Sequence, residues 1–347
     1  MKRWMGLALA GEILVGGVWA LPASAAQSTA GEFAQTIGPV SVLQVRPDVY
    51  MLTMNGANVA VATGPEGTVV VNTGPASASD ALLAAIKQLT STPIRVVIDT
   101  SADADLIGGN EAVAAAGQAL TDVLFRPGGI NSGDVGKVAA IIARQSVLER
   151  IVSQPGPAVP TWALPGEVFT RPQYNLYLNG QGIEVIWQPA AHSDGDSVVL
   201  FRRSDVVVTG AIFDITRFPV IDLEHGGSIQ GEIDALNRVM NTLVIAPTPV
   251  VTNEGGTMII PLRGQLCSQS DLLAYRDMVA AVRDRIQDQI AHGKNLAQTK
   301  AADPAQGYRS RYGTDTGRTT DEFVEAVYKS LMAQSKAHKH ASIQGGG

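Results

Sequence analysis

Two stretches carry side chains whose type and spacing could do chemistry. The first, "VVIDTSADADLIGGN" (96–110), sets Asp103 and Asp105 two residues apart in a loop that follows a β-branched run. Alternating carboxylates suggest a cation loop. An EF-hand needs oxygen ligands at loop positions 1, 3, 5 and 12, with glycine at 6. Counting from Asp103 puts Ile107 at 5 and Ala114 at 12, and counting from Ser101 puts Leu106 where the glycine belongs. Calcium in that geometry is rejected. The second stretch, "QPAAHSDGDSVVLF" (188–201), places His192 in a turn between two strands, beside Asp194 and Asp196. Those carboxylates could fix the imidazole tautomer, which would make His192 a metal or proton-handling residue.

The rest of the chain offers less. His225 lies in a glycine-rich loop, His292 ends a helix, and His338 and His340 fall in the tail. Cys267 stands alone, so no internal disulfide exists, and a buried apolar role is expected for it. No G-x-S-x-G elbow, P-loop or dinucleotide fingerprint is present.

Elements that could position these residues follow from periodicity. "SVLQVRPDVYMLTM", "NVAVAT" and "TVVVNTG" read as strands, with a "GPEG" turn before the last. A helix is expected over 78–90 and a strand buried on both faces at "IRVVIDT". "EAVAAAGQAL" and "KVAAIIARQSVLERIV" read as helical. A second block, "YNLYLNG", "GIEVIWQPA", "SVVLFRR" and "DVVVTGAIF", reads as strands. "QGEIDALNRVMNTL" reads as a helix, "LVIAPTPVVTN" as a strand, and the long helix after Ser268 or Ser270 has its cap in one of them. Two strand-rich halves, each with helices, fit a sandwich.

The chain has 347 residues, 45% hydrophobic and 17% charged, with a formal charge of −6. That is ample for one large core and argues against nucleic acid as a partner. Lys2 and Arg3, the apolar run that follows, and "ASA" at 23–25 read as a signal peptide cleaved before Ala26, hence a secreted or periplasmic protein. The competing reading is a retained membrane anchor, against which Glu12 counts; no stable span is expected once the signal is removed. The expected organisation is a signal peptide (1–25), a flexible lead-in (26–38), a single domain (39–335) and a disordered tail (336–347).

Taken together, these segments resemble the metallo-β-lactamase superfamily. "VYMLTMNGANVAVATGPEGTVVVNTG" is similar to its opening hairpins ending in V-D-T-G, and "VVIDTSADADLIGGN" to the strand and loop N-T-H-x-H-x-D-H-x-G-G-N. "PAAHSDGDSVVLF" resembles P-x-x-H-T-x-G-D-S, "VVVTGAIFDITRFPVIDLEHGGSIQGEIDAL" the G-D segment, and "IIPLRGQLCSQSDLLAYRDMV" the P-G-H-G stretch with its helix. The resemblance implies an α+β fold, an αββα sandwich with the site at one edge between the sheets.

It also implies ligand positions, and most of them are changed. They read Ser101, Asp103, Asp105, Leu106, His192, Ala211 and Arg263, of which Asp105 and His192 match the pattern, and Asn72 replaces the V-D-T-G aspartate. Leu106 and Ala211 have no side-chain lone pair, and Arg263 brings a cation where a ligand should point. Arg263 is therefore expected to pair with Asp105 in place of a metal. Two functions follow. One is an exported hydrolase-like protein with a degenerate site, a pseudoenzyme taking a small-molecule ligand in the cleft and holding no metal. The other is a divergent hydrolase of esters, lactams or related substrates. There Asp103, Asp105 and His192, with Ser101 as a weak fourth donor, hold one Zn²⁺, Mn²⁺ or Mg²⁺, and Asp105 serves in catalysis.

Overall fold

Short runs of Val, Ile and Ala make up most of the sheet structure, and their burial explains why so few polar residues interrupt them. The computed structural model describes residues 34–120, 137–155, 158–244, 256–313 and 319–344, with side chains to 336. The signal-like segment (1–25) and most of the strand expected at 243–253 lie outside these residues.

The first sheet has eight strands in chain order: β1 (Ala34–Ile37), β2 (Val40–Arg46), β3 (Val49–Met54), β4 (Ala57–Ala62), β5 (Thr68–Val71), β6 (Ile94–Ile98), β7 (Ala140–Arg144) and β8 (Glu167–Phe169). β1 to β5 form an antiparallel meander; β5 to β8 are parallel. The parallel connections carry α1 (Ser79–Leu89), α2 (Ala104–Ile107) with α3 (Asn110–Ala115), and α4 (Gln145–Ser153). The second sheet runs β13-β12-β11-β10-β9, from β9 (Gln173–Leu178), β10 (Gln181–Trp187), β11 (Ser197–Phe201), β12 (Val206–Val208) and β13 (Met258–Ile260), antiparallel except for β12 with β13. α5 (Ile229–Arg238) connects β12 to β13, and α6 (Gln269–Ala291), α7 (Leu296–Ala301), α8 (Arg309–Tyr312) and α9 (Thr320–Gln344) complete the chain.

Successive side chains of a strand point to opposite faces, and here they enter different cores. Val69, Val71, Val96, Ile98 and Ile142 meet Val185, Val199, Phe201 and Val208 between the sheets. Val70, Val97 and Ile141 instead pack against Leu82, Ile86 and Val113 of α1 and α3. On the far side, Val198 and Val207 pack with Ile233, Leu236, Tyr275, Val279 and Val327 of α5, α6 and α9. The result is the expected αββα sandwich. Among the described residues no helix is long and apolar enough to cross a membrane.

Three local expectations are corrected. "AIIAR" within "KVAAIIARQSVLERIV" is strand β7, not helix, because its three middle residues are buried between two parallel neighbours and helix begins only at Gln145. Residues 34–37, expected in the flexible lead-in, form β1, turned onto β2 through Gly38 at φ +57°. α9 continues to Gln344, so the stretch from 336 to 344, expected as a tail, is helical; its Lys, Ala and Gln residues favour that state. Ser268 does cap α6, in a capping box with Asp271.

Candidate functional site

The loops after β5, β6, β12 and β13 and the β10–β11 turn meet at one edge of the sandwich. Ser197 N–H donates to the Thr100 carbonyl at 2.9 Å, joining the two sheets there. Asn72, at φ +62°, takes a left-handed conformation that Asn tolerates better than most residues. Its Oδ1 accepts from Thr100 N (3.0 Å) and Thr100 Oγ1 (2.9 Å), so the residue in the V-D-T-G aspartate position orients the loop after β6. Gly210 lies against Thr100, where a Cβ would collide with the threonine side chain.

Asp99, fully buried at the end of β6, accepts from Asn110 Nδ2 at 2.8 Å, and Thr73 Oγ1 steadies Asn110 at 2.9 Å. Burial pushes the Asp99 carboxyl up to about 7 against that hydrogen bond. Asp103 is the N-cap residue of α2, and Asp105 lies in its first turn. Leu106 is buried, its side chain a packing group, while its carbonyl accepts from Thr73 and Gly74 N–H.

His192 sits in a turn pinned by the start of α5. Ala190 holds φ +55°, a conformation costing an alanine about 1 kcal/mol, and its carbonyl accepts from both the N–H and the hydroxyl of the α5 cap, Ser228. Gly231 packs so closely on that carbonyl that a side chain could not fit. His192 Nδ1 lies 2.8 Å from the Val220 carbonyl and Nε2 lies 2.9 Å from Asp103 Oδ2, the latter an ion pair rather than an aligned hydrogen bond. Burial alone would lower the imidazole pKa; the facing Asp103 carboxylate, with Asp196 behind it, outweighs burial and lifts it to about 10. Burial would likewise raise Asp103, but His192 holds it below the usual carboxylate range.

Arg263 follows β13 on a segment clasped by Asn58, whose Nδ2 donates to the Pro261 and Gly264 carbonyls at 3.0 Å each. One guanidinium nitrogen bonds Asp105 Oδ2 and the other lies 3.3 Å from Asp214 Oδ2. Arg217 reaches the same Asp214 oxygen at 3.2 Å, and Thr216 donates to its other oxygen. Ala211 occupies a 3₁₀ turn, Gly210–Ile212, and supplies no donor atom from its side chain.

The expected residues are thus brought to one edge but into two separate pairs, His192 with Asp103 and Arg263 with Asp105. Asp194 and Asp196 do not fix the imidazole; the Val220 carbonyl does, because Asp194 turns to Arg150 at 2.6 Å and Asp196 to Ser193. Among the described residues no group of three or more His, Cys, Asp or Glu side chains is arranged to hold a metal ion. Asp103, Asp105 and His192 do not fit one, because a cation of the chain already occupies each carboxylate. His225 is half exposed and paired with Asp222, His292 caps α6, and Cys267 is buried, its thiol pushed up to about 12 by burial.

Three site residues escaped the sequence reading: Asp214, Arg150 and Glu232. Glu232 is buried with neither oxygen hydrogen-bonded among the described residues, and burial pushes its carboxyl well above the usual range. Its signal was present, since Ile229, Glu232, Ile233 and Leu236 share one helical face.

No protein-family model and no curated protein matches the chain. Solved structures do. A double mutant of the sec-alkyl sulfatase PisA1 superposes with a TM-score of 0.61 at 16% identity, over 84% of this chain and 50% of that one. The stereoselective inverting sec-alkylsulfatase Pisa1 from Pseudomonas sp. gives 0.58 at 16%, over 83% and 49%. A metallo-β-lactamase from Pontibacter korlensis gives 0.50 at 17%, over 70% of this chain and 99% of that one. The chain has the metallo-β-lactamase fold. It spans about half the length of the sulfatases, and at these identities the likeness speaks for the metallo-β-lactamase fold alone.

Proposed function

We propose that the chain is an exported, hydrolase-like protein whose cleft binds a small molecule without a dinuclear zinc centre, and which is weakly active or inactive as a zinc hydrolase. The observation that carries this reading is Arg263 bonded to Asp105 and Asp214 together. A guanidinium there repels a divalent ion and uses the carboxylate a metal would need. The alternative, one Zn²⁺, Mn²⁺ or Mg²⁺ on Asp103, Asp105 and His192, would require both ion pairs to open.

The test is elemental analysis of the purified chain from Ala26, followed by turnover of alkyl sulfate, ester and β-lactam substrates with added Zn²⁺ or Mn²⁺. Substoichiometric metal and no metal-dependent turnover are expected. Stoichiometric metal, with turnover lost in Asp103→Ala or His192→Ala, would establish the alternative. Export is tested separately: N-terminal sequencing of periplasmic or secreted protein should start at Ala26, and a chain that keeps residues 1–25 in the membrane fraction overturns it.

A further inference from the structure

The two edges of the second sheet are finished differently. At one edge β13 is three residues long, and Cys267 takes its free side by exchanging both backbone hydrogen bonds with Ile259 at 2.9 Å. At the other edge β9 is six residues long, carries no proline, charge or bulge, and has no described strand beyond it. Trp187 N–H donates to the Pro172 carbonyl at 2.9 Å, which fixes the phase of the β9–β10 ladder. Hydrogen-bonded pairs alternate along an antiparallel ladder. The even-numbered residues of β9 therefore bond β10, while Gln173, Asn175 and Tyr177 aim their N–H and C=O groups outward. Asn175 and Tyr177 are also exposed, Tyr177 by 69%. Edge strands are ordinarily shortened, bulged or charged against pairing with another chain, and β9 has none of these devices.

The two ends of this edge carry opposite charges. Arg171, exposed just before β9, and Glu66, exposed beside the β9–β10 turn, enter no ion pair among the described residues. The Glu66 carboxylate instead bonds the Asn179 N–H of that turn. We propose that β9 is a self-association edge, on which a second copy of this chain adds its own β9, antiparallel, about a two-fold axis at Asn175. The outward residues then meet as Asn175 with Asn175 and Gln173 with Tyr177, exchanging backbone hydrogen bonds, and the five-stranded sheet continues across the axis. The same register sets Arg171 of each copy opposite Asn179 of the other, and so beside its Glu66. Each uncompensated charge thereby meets its opposite, once on either side of the axis. A two-fold contact uses one patch on both subunits, and an uncharged edge with opposite charges at its ends is complementary to itself. That charge match favours a second copy over an unrelated peptide strand.

The experiment is sedimentation velocity of the purified protein over roughly 1 to 200 μM, spanning the weak affinity of so short a contact. A monomer–dimer equilibrium with a dissociation constant of roughly 10 μM is expected, and added salt should weaken it. Asn175→Lys sets like charges face to face on the axis and should raise that constant at least about tenfold. Asn175→Pro removes an outward N–H without touching the β10 ladder and should do the same. If the proline variant fails to fold, the lysine variant, at an exposed side chain, decides alone. Arg171→Glu and Glu66→Arg should each weaken self-association about tenfold, and mixing the two should restore it, because the mixed dimer regains both ion pairs. A wild type that stays monomeric across the range overturns the proposal, whatever other strand its edge might take. So does a dimer whose affinity is unchanged in folded Asn175→Lys, or a mixture of the two folded charge variants that associates no better than either alone.

Discussion

Asp214 and Asp196 lie at similar depth, 4% and 0% exposed, yet their charge is met in different ways. Asp214 faces two guanidinium groups, Arg263 and Arg217. Asp196 is met at hydrogen-bond distance by Ser193, through its N–H and hydroxyl, and burial pushes its carboxyl up to about 6 despite the nearby His192. The same division runs through the site. Around Arg263 carboxylates are matched by side-chain cations, whereas around His192 acids outnumber cations, and burial also raises Glu232 above the usual carboxylate range. One half tolerates buried charge by pairing it; the other pairs Asp103 with His192 but pushes Asp196 and Glu232 toward their protonated forms. The first should therefore respond to removal of a partner, the second to pH.

The largest expected effect is the pH response. Asp99 and Asp196 have folded values of about 7 and 6 against 3.8 in the unfolded chain, so the folded state holds more protons between those values. Stability should then fall as pH rises from about 4 to 7. His192, raised to about 10 from 6.5, contributes stability that is complete below 6.5 and lost as pH rises through its folded value, in the same direction. Urea unfolding should give a less stable protein at pH 8 than at pH 5. Asp99→Asn, which can still accept from Asn110, should shrink that difference by up to about 2.5 kcal/mol. Equal stability at the two pH values in the wild type would erase the contrast between the halves.

Next is Arg263→Gln, expected to cost about 2 kcal/mol in the same measurement while leaving the pH slope unchanged. The figure is below that for a fully buried pair because Asp214 keeps Arg217 and Asp105 is nearly half exposed. A changed slope would mean that the halves are coupled. Glu232→Met should act in the opposite sense, stabilising by about 1.5 kcal/mol at pH 7, because it replaces a buried carboxyl without hydrogen-bond partners among the described residues. Loss of stability there would show that Glu232 has a partner after all. The smallest effect is Asp105→Asn, under about 1 kcal/mol, since its side chain remains in contact with solvent.

The two strand blocks and helices α1, α3, α5 and α6 were legible because their periodicity reflects burial, which the fold then uses directly; α7, α8 and α9 were not read from the sequence. "AIIAR" was not, since alanine-rich apolar runs suit a helix until parallel neighbours on both sides make the strand. In the site, the Arg263–Asp105 pair could be anticipated from two opposite charges at positions the resemblance brings together. The His192–Asp103 pair could not, because the same resemblance sets both as ligands of a shared ion rather than as partners. Asp214 and Arg150 are ordinary surface-type residues in sequence; only the ends of β12 and α4, brought to the same edge, give them a role.

The clasp on Arg263 has a consequence of a different kind. A dissolved ion occupies its position to an extent set by its concentration, so a cleft closed by one opens when the medium is depleted. The guanidinium is carried by the chain and delivered to Asp105 and Asp214 by the Asn58 contacts to Pro261 and Gly264. Closure of this edge is then a unimolecular event, complete when β4 meets the segment after β13, and independent of how far the protein is diluted.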